Sequence, residues 1–290
     1  PPYIVTERPL HLSRDTTATD EYPVEQTTLT ERYTEEAVRF IRENKGNPFF
    51  LYLPHAMPHL PVSTSARFAG TSDGARYGDV IETLDWSTGH ILDVLKEEDL
   101  DENTLVIFTS DNGPWLIMNE EGGSAGLLRE GKGSTWEGGM REPCIFWAPG
   151  RIKPGLETGI GSTMDLYTTF SILAGVAVPD DRIVDGMDLS PVLFEGKESP
   201  RKEMFFYRGD RLYAVRVGDY KAHFFTQSGH EPEITVHDPP LLYDLNVDPS
   251  EQYDIAADHP DVIESILKLG QQHNQKLVNG PDMLKDRREP

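Results

Sequence analysis

Asp111 and Asn112 are adjacent and offer one carboxylate and one amide carbonyl, hard oxygen donors of the kind calcium prefers. Gly113-Pro114 follows and turns the chain sharply. The same residues also suit an ordinary turn, and two donors are too few for a calcium ion, so a metal site here would need ligands from elsewhere. Upstream, His59 stands in Met57-Pro58-His59-Leu60-Pro61, where the flanking prolines restrict the backbone and allow the imidazole to be aimed into a cleft. His55 competes for that role. A third group is Lys132, set between glycines in Gly131-Lys132-Gly133-Ser134-Thr135-Trp136-Glu137-Gly138-Gly139. There the backbone can come close to an anion while the ammonium supplies charge. The spacing is not that of a P-loop, whose first glycine is missing.

The elements that must carry these groups alternate. Ala37, Val38, Phe40 and Ile41 recur at helical spacing after Thr28-Leu29-Thr30-Glu31, which resembles a capping box, so a helix is predicted over 29–44. Asn47-Pro48 ends it, and Phe49-Phe50-Leu51-Tyr52-Leu53 has the uninterrupted apolar character of a strand buried on both faces. A helix over 77–97, a strand over 104–109, a glycine-rich loop over 122–139, a strand over 144–147 and a helix over 165–174 follow. That order predicts an α/β sandwich with a mainly parallel central sheet. His55, His59, Asp111 and Asn112 stand just past the ends of the two clearest strands, where open α/β sheets place their sites.

From about residue 200 the texture changes to short β-prone runs, 204–207, 212–217 and 220–225, joined by turn residues such as Arg208-Gly209-Asp210. They predict a small antiparallel sheet, closed by a helix over 260–276 and a polar tail that frays after Gly280. The division expected is 1–198 for the large α/β domain and 199–290 for a small α+β subdomain. With 27 basic and 49 acidic residues the net charge is −22, a field that repels nucleic acid. An anionic substrate would need a metal ion or a few focused cations to overcome it. The lone Cys144, in an apolar run, is expected to be a buried structural thiol, and no run approaches the about 18 to 20 apolar residues needed to cross a bilayer.

Taken together, the segments resemble the sulfatases, and within them the arylsulfatase A branch. Phe108-Thr109-Ser110-Asp111-Asn112-Gly113-Pro114 resembles that family's calcium-ligand strand end, and Gly131 through Pro143 resembles its second signature. Tyr220 to Gln227, Pro239 to Leu245 and Asp248-Pro249-Ser250-Glu251 resemble its small carboxy-terminal sheet, so the likeness spans nearly the whole chain. The resemblance implies an alkaline-phosphatase-like sandwich, one calcium ion with Asp111 and Asn112 among its ligands, and His59 and Lys132 contacting the sulfate of a sulfate ester. It places His230 in the substrate pocket.

Such enzymes use a formylglycine made within Cys/Ser-x-Pro-x-Arg, and that motif is not in this sequence: Ser63 to Arg67 lacks the proline, and Cys144 precedes Ile-Phe-Trp. The expectation is therefore a carboxy-terminal portion. Its missing amino-terminal segment would carry the nucleophile and the remaining calcium ligands, and the 290 residues alone would turn over no ester. The resemblance further implies an exported enzyme, periplasmic, extracellular or lysosomal, acting on an aryl, glycan or lipid sulfate. Two alternatives stand beside it: a phosphohydrolase of the alkaline-phosphatase-like superfamily, and a non-catalytic binder of sulfated glycans.

Overall fold

The computed structural model describes residues 11–19, 21–278 and 280; the tail expected to fray after Gly280 lies outside the described residues. A two-residue hairpin of β1 (Ser13–Arg14) and β2 (Thr17–Ala18) precedes α1 (Leu29–Asn44) and α2 (Ala75–Glu97). Next come β3 (Val106–Thr109), the single-turn α3 (Glu137–Met140), β4 (Cys144–Trp147), α4 (Met164–Leu173) and α5 (Ser190–Glu195). The chain ends in four strands, β5 (Glu203–Arg208), β6 (Arg211–Val217), β7 (Tyr220–Thr226) and β8 (Thr235–Asp244), and in α6 (Pro260–Lys276). Backbone contacts divide it into two compact units, one made of the described residues up to Leu105 with Met118–Gly123, the other of Val106–Ile117 with the residues from Ser124 onward.

In the first unit, α1 buries Thr34, Ala37, Val38 and Ile41, a stripe of spacing 3, 1 and 3, which is one face of a 3.6-residue helix. It packs on α2, whose buried residues include Val80, Leu84, Val94 and Leu95. A polar chain crosses the packing: Thr34 Oγ1 and Ser87 Oγ share a hydrogen bond of 2.6 Å, and Ser87 Oγ lies 3.3 Å from His55 Nε2. The capping box expected at Thr28 does not form; the Thr28 hydroxyl donates instead to the Glu25 carbonyl at 2.9 Å. A 3₁₀ turn, Gln26–Thr28, runs directly into the helix, and Glu25 caps that turn by accepting from Thr27 N.

In the second unit, β3 and β4 pair antiparallel with Val106 opposite Trp147 and Thr109 opposite Cys144. Residues 49–53, expected as a strand, carry no ladder among the described residues, and Phe50 and Tyr52 are exposed. Apolar runs of this type state that a segment is to be covered, not which neighbour covers it. Cys144 corrects another expectation. It opens β4 and is exposed, because among the described residues β4 pairs with β3 alone and its end is left uncovered.

The four carboxy-terminal strands form one antiparallel sheet in sequential order, as expected. Its inner face carries Leu212, Val215, Ala222 and Leu242, and α6 covers that face with Ile263 and Ile266. Pro260 starts α6 at a position where no amide hydrogen is needed. Asp165 at the start of α4 is fully buried against Arg201, which reaches both carboxylate oxygens, and it also accepts from the backbone N–H of Ser162 and Met187.

Candidate active site

The turn that ends β3 and the loop that leads into α3 are built on one another. The Lys132 amide donates to the Pro114 carbonyl at 2.9 Å, and the Gly113 amide to the Gly139 carbonyl at 3.3 Å. Backbones can approach this closely only where side chains are absent. A Cβ at Gly113 would fall on the Gly138 carbonyl, one at Gly131 on the Pro114 carbonyl, and one at Gly138 on the carbonyls of Arg129 and Glu130. The loop closes on itself as well, with Ser134 donating from both its amide and its hydroxyl to the Gly131 carbonyl. The glycines therefore serve packing more than mobility, and Lys132 stands on a rigid base.

A third segment, 227–231, rests on that loop. Gly229 packs on the Lys132 carbonyl so tightly that a Cβ there would collide with it, and Gly133, at φ +88°, faces Gly229 in turn. Tyr213 donates to Gln227 Oε1 at 2.8 Å, Gln227 Nε2 to the Glu231 carbonyl at 2.8 Å and Arg208 to the Ser228 carbonyl at 2.8 Å. His230, which this segment carries, accepts at Nδ1 from the Trp115 indole N–H at 3.3 Å. The Lys132 ammonium lies 5.7 Å from the centre of the same indole. Asp111, Asn112, Lys132 and His230 thus belong to one unit, on three segments joined by the backbone bonds of the first two, by Trp115 to His230 and by Ser228 to Glu130.

His59 belongs to the other unit, on an exposed stretch where its Nδ1–H donates to the Leu60 carbonyl at 2.8 Å. Its competitor His55 is packed against Ser87, and burial pulls its pKa down.

Asp111 is exposed and Asn112 half-buried. Glu142 lies close enough to Asp111 that burial and that neighbouring charge lift its pKa to about 7, against an opposing hydrogen bond with Ser110. Its Oε1 is buried with no hydrogen-bond partner. A cleft of about 270 Å³ opens beside Gly113, Pro114, Arg141 and Glu142. The Asp111 and Glu142 carboxyl groups crowd one another beside the turn, and carboxylate oxygens of this kind are donors a hard divalent cation accepts. Among the described residues no cluster of three or more His, Cys, Asp or Glu could complete a metal shell.

Sequence reasoning missed the group that holds the Lys132 loop to the carboxy-terminal sheet. Lys221 Nζ lies 2.8 Å from Glu137 Oε1 and 3.1 Å from Glu251 Oε1; His223 Nε2–H donates to Glu251 Oε1 at 2.7 Å, and the Glu137 amide donates to Glu251 Oε2 at 2.6 Å. All four side chains are buried. Trp136 packs against His223 with ring centres 4.2 Å apart and planes tilted by 32°, and the Arg129 guanidinium sits 3.8 Å above Trp136. Arg129 also donates to the Glu251 carbonyl at 2.7 Å. Burial drives the His223 pKa down to about 4, the Glu251 hydrogen bond opposing only in part. Burial pushes Glu251 the other way but is outweighed by that same hydrogen bond and by the Lys221 charge, so its pKa is lowered. The cluster therefore sets a neutral imidazole against the Glu251 carboxylate, with Lys221 bridging Glu137 and Glu251. The signal available in sequence was slight: a lysine and a histidine two apart share one face of β7.

Known proteins match along nearly the whole chain. The family model described as Sulfatase matches residues 8–176, and that described as C-terminal region of aryl-sulfatase matches 199–290. The arylsulfatase of Hemicentrotus pulcherrimus is 38% identical over 288 residues, covering 90% of this chain and 52% of that protein. Human arylsulfatase A is 41% identical over 250 residues, covering 78% and 49%. Among solved structures, the PsFucS1 sulfatase from Pseudoalteromonas sp. superposes with a TM-score of 0.81 at 29% identity, covering 89% of this chain and 55% of that one. The chain spans about half the length of the curated relatives it matches.

Proposed function

The chain belongs to the sulfatase family, with an alkaline-phosphatase-like fold and similarity to arylsulfatases, arylsulfatase A among them; on that premise we propose that it provides the sulfate-binding half of a calcium-assisted sulfuric ester hydrolase. The observation that carries the proposal is the docking of the Lys132 loop onto the Asp111-Asn112 turn through close-packed glycines. It ties an ammonium to a pair of oxygen donors within one rigid piece of backbone, the arrangement an anion and a cation would share.

In this reading Lys132 offsets charge on the sulfate as it grows in the transition state, where a preoriented donor is most effective. His230 donates to an oxygen of the substrate beside it. His59 is assigned a sulfate contact on the wording of Pro58-His59-Leu60-Pro61 alone. Asp111 and Asn112 would hold calcium, with the crowded Glu142 carboxyl gaining from the positive charge. When bound, the ion supplies Lewis-acid polarisation of the sulfate. The nucleophile of such an enzyme, a formylglycine hydrate, would come from residues other than these, and the large α/β domain proposed here runs through residue 198. The substrate would be an aryl, glycan or lipid sulfate met by an exported enzyme. The Lys132-bearing glycine signature with a single Asp-Asn pair favours a sulfate ester over a phosphate ester.

The test is hydrolysis of an aryl sulfate by the enzyme that includes the nucleophile segment, with and without chelator, and with Lys132→Ala. Loss of one well-placed charged donor is expected to lower kcat by about 10²–10³, and chelation to abolish turnover. Unchanged rates in both would end the assignment. A parent sequence without Cys/Ser-x-Pro-x-Arg, coupled with retained binding of a sulfated glycan, would favour the non-catalytic reading instead.

A further inference from the structure

Trp115 is the residue this site has that none of the roles above uses. It follows the Asp111 to Pro114 turn and lies half-buried between Lys132 and His230. An indole N–H can only donate. The ring nitrogen it meets at 3.3 Å, His230 Nδ1, must therefore carry a lone pair, and in the neutral ring the proton then sits on Nε2. The backbone of His230 is already fixed by the bonds of Gln227 and Ser228 and by the seat of Gly229 on Lys132. What remains free is the rotation of the imidazole and the choice of tautomer. The Trp115 contact restricts both.

We propose that Trp115 is a positioning residue that holds His230 as the Nε2–H tautomer, so that a neutral, directional donor stands next to the Lys132 ammonium for a substrate oxygen. In a chain of net charge −22 this division of labour has a physical sense. The ammonium supplies attraction without much direction, and the fixed N–H supplies direction without altering the charge of the site. This rests on the reading that His230 meets the substrate.

The experiment has two arms. In the enzyme that includes the nucleophile segment, labelled with ¹⁵N-histidine, long-range ¹H–¹⁵N correlation reads the tautomer of His230, assigned by comparison with His230→Gln. In the enzyme that includes the nucleophile segment, kinetics on an aryl sulfate are compared for Trp115→Phe, for benzothienylalanine at position 115, for His230→Gln and for the Trp115→Phe/His230→Gln double variant. Benzothienylalanine keeps the bicyclic ring facing Lys132 and removes only the N–H, so it remains informative if Phe disturbs the packing.

The expected result is an Nε2–H signal in the parent that becomes a tautomer mixture in both position-115 variants. With it should come a rise in KM of about five-fold with kcat little changed, and a double variant no worse than His230→Gln. A tautomer unaffected by loss of the N–H, or a raised KM in His230→Gln with none in the position-115 variants, would overturn the proposal. If His230→Gln leaves KM unmoved while the spectrum behaves as expected, the Trp115 contact stands but the substrate role assigned to His230 fails, and with it the functional part of this inference.

Discussion

The buried cluster behind the Lys132 loop makes folding sensitive to acid in a way that can be worked out. His223 is fully buried and its pKa is held at about 4 in the fold, against about 6.5 for an unfolded chain. Between those two values the unfolded chain binds a proton that the folded one refuses. Stability therefore rises with pH across this window, is fully present above about 6.5, and is lost as pH falls toward 4. At about 1.4 kcal/mol per pH unit the whole window amounts to about 3 kcal/mol, and the part between pH 7 and pH 5 to about 2 kcal/mol. Glu251 adds to the same trend, since its lowered pKa makes its contribution disappear on acidification through the folded value. The perturbation that isolates the imidazole is His223→Gln, whose amide still donates to Glu251 but does not titrate. Urea unfolding followed by tryptophan fluorescence, with Trp136 packed against the residue in question, should give the parent a drop between pH 7 and pH 5 that exceeds the variant's by about 2 kcal/mol. Equal drops in the two proteins would refute the reasoning, because the imidazole would then titrate alike folded and unfolded.

Replacing Lys221 by Met should cost about 3–5 kcal/mol, because Glu137 and Glu251 would then share a buried site with no ammonium between them; the urea midpoint at pH 7 measures it. Asp165→Ala should cost a similar amount by stranding the buried Arg201 guanidinium and freeing the Ser162 and Met187 amides, read from the same titration. Gly113→Ala should lower thermal stability by about 1–3 kcal/mol as the new methyl displaces the Gly138 carbonyl, and an unchanged melting temperature would mean that the two backbones part without strain.

Helices were the most legible part of this chain, and α1 and α6 show why. Each has an apolar stripe at the period of a helix, and each has a proline that fixes one boundary, Pro48 past the end of α1 and Pro260 at the start of α6. The cap of α1 was not legible. Thr28 has the chemistry of a cap, but a 3₁₀ turn already leads into the helix, and the Thr28 hydroxyl turns back to Glu25. The segment 49–53 was read by composition, which distinguishes covered from uncovered but says nothing of the covering partner. Cys144 fails as an expectation for the same reason, since an apolar run locates a strand and not the end at which its pairing stops.

The candidate site was legible in its local pieces and illegible in what holds them. Asp111, Asn112 and Lys132 lie within motifs a few residues long, so type and spacing suffice to single them out. Glu137 to Lys221, Arg129 to Glu251 and Trp115 to His230 are pairings across 84 to 122 residues, and no local periodicity encodes which residue will stand opposite which. The glycines show the limit most clearly. Read along the chain, 131, 133, 138 and 139 suggest a loop free to move around an anion. In the fold, 131, 138 and 139 face backbone carbonyls that a methyl group would strike, and 133 faces the backbone of Gly229, so the same residues give the opposite property, a support stiff enough to keep one ammonium beside the Asp111-Asn112 turn. Flexibility and close approach both call for glycine, and only the neighbouring backbone decides between them.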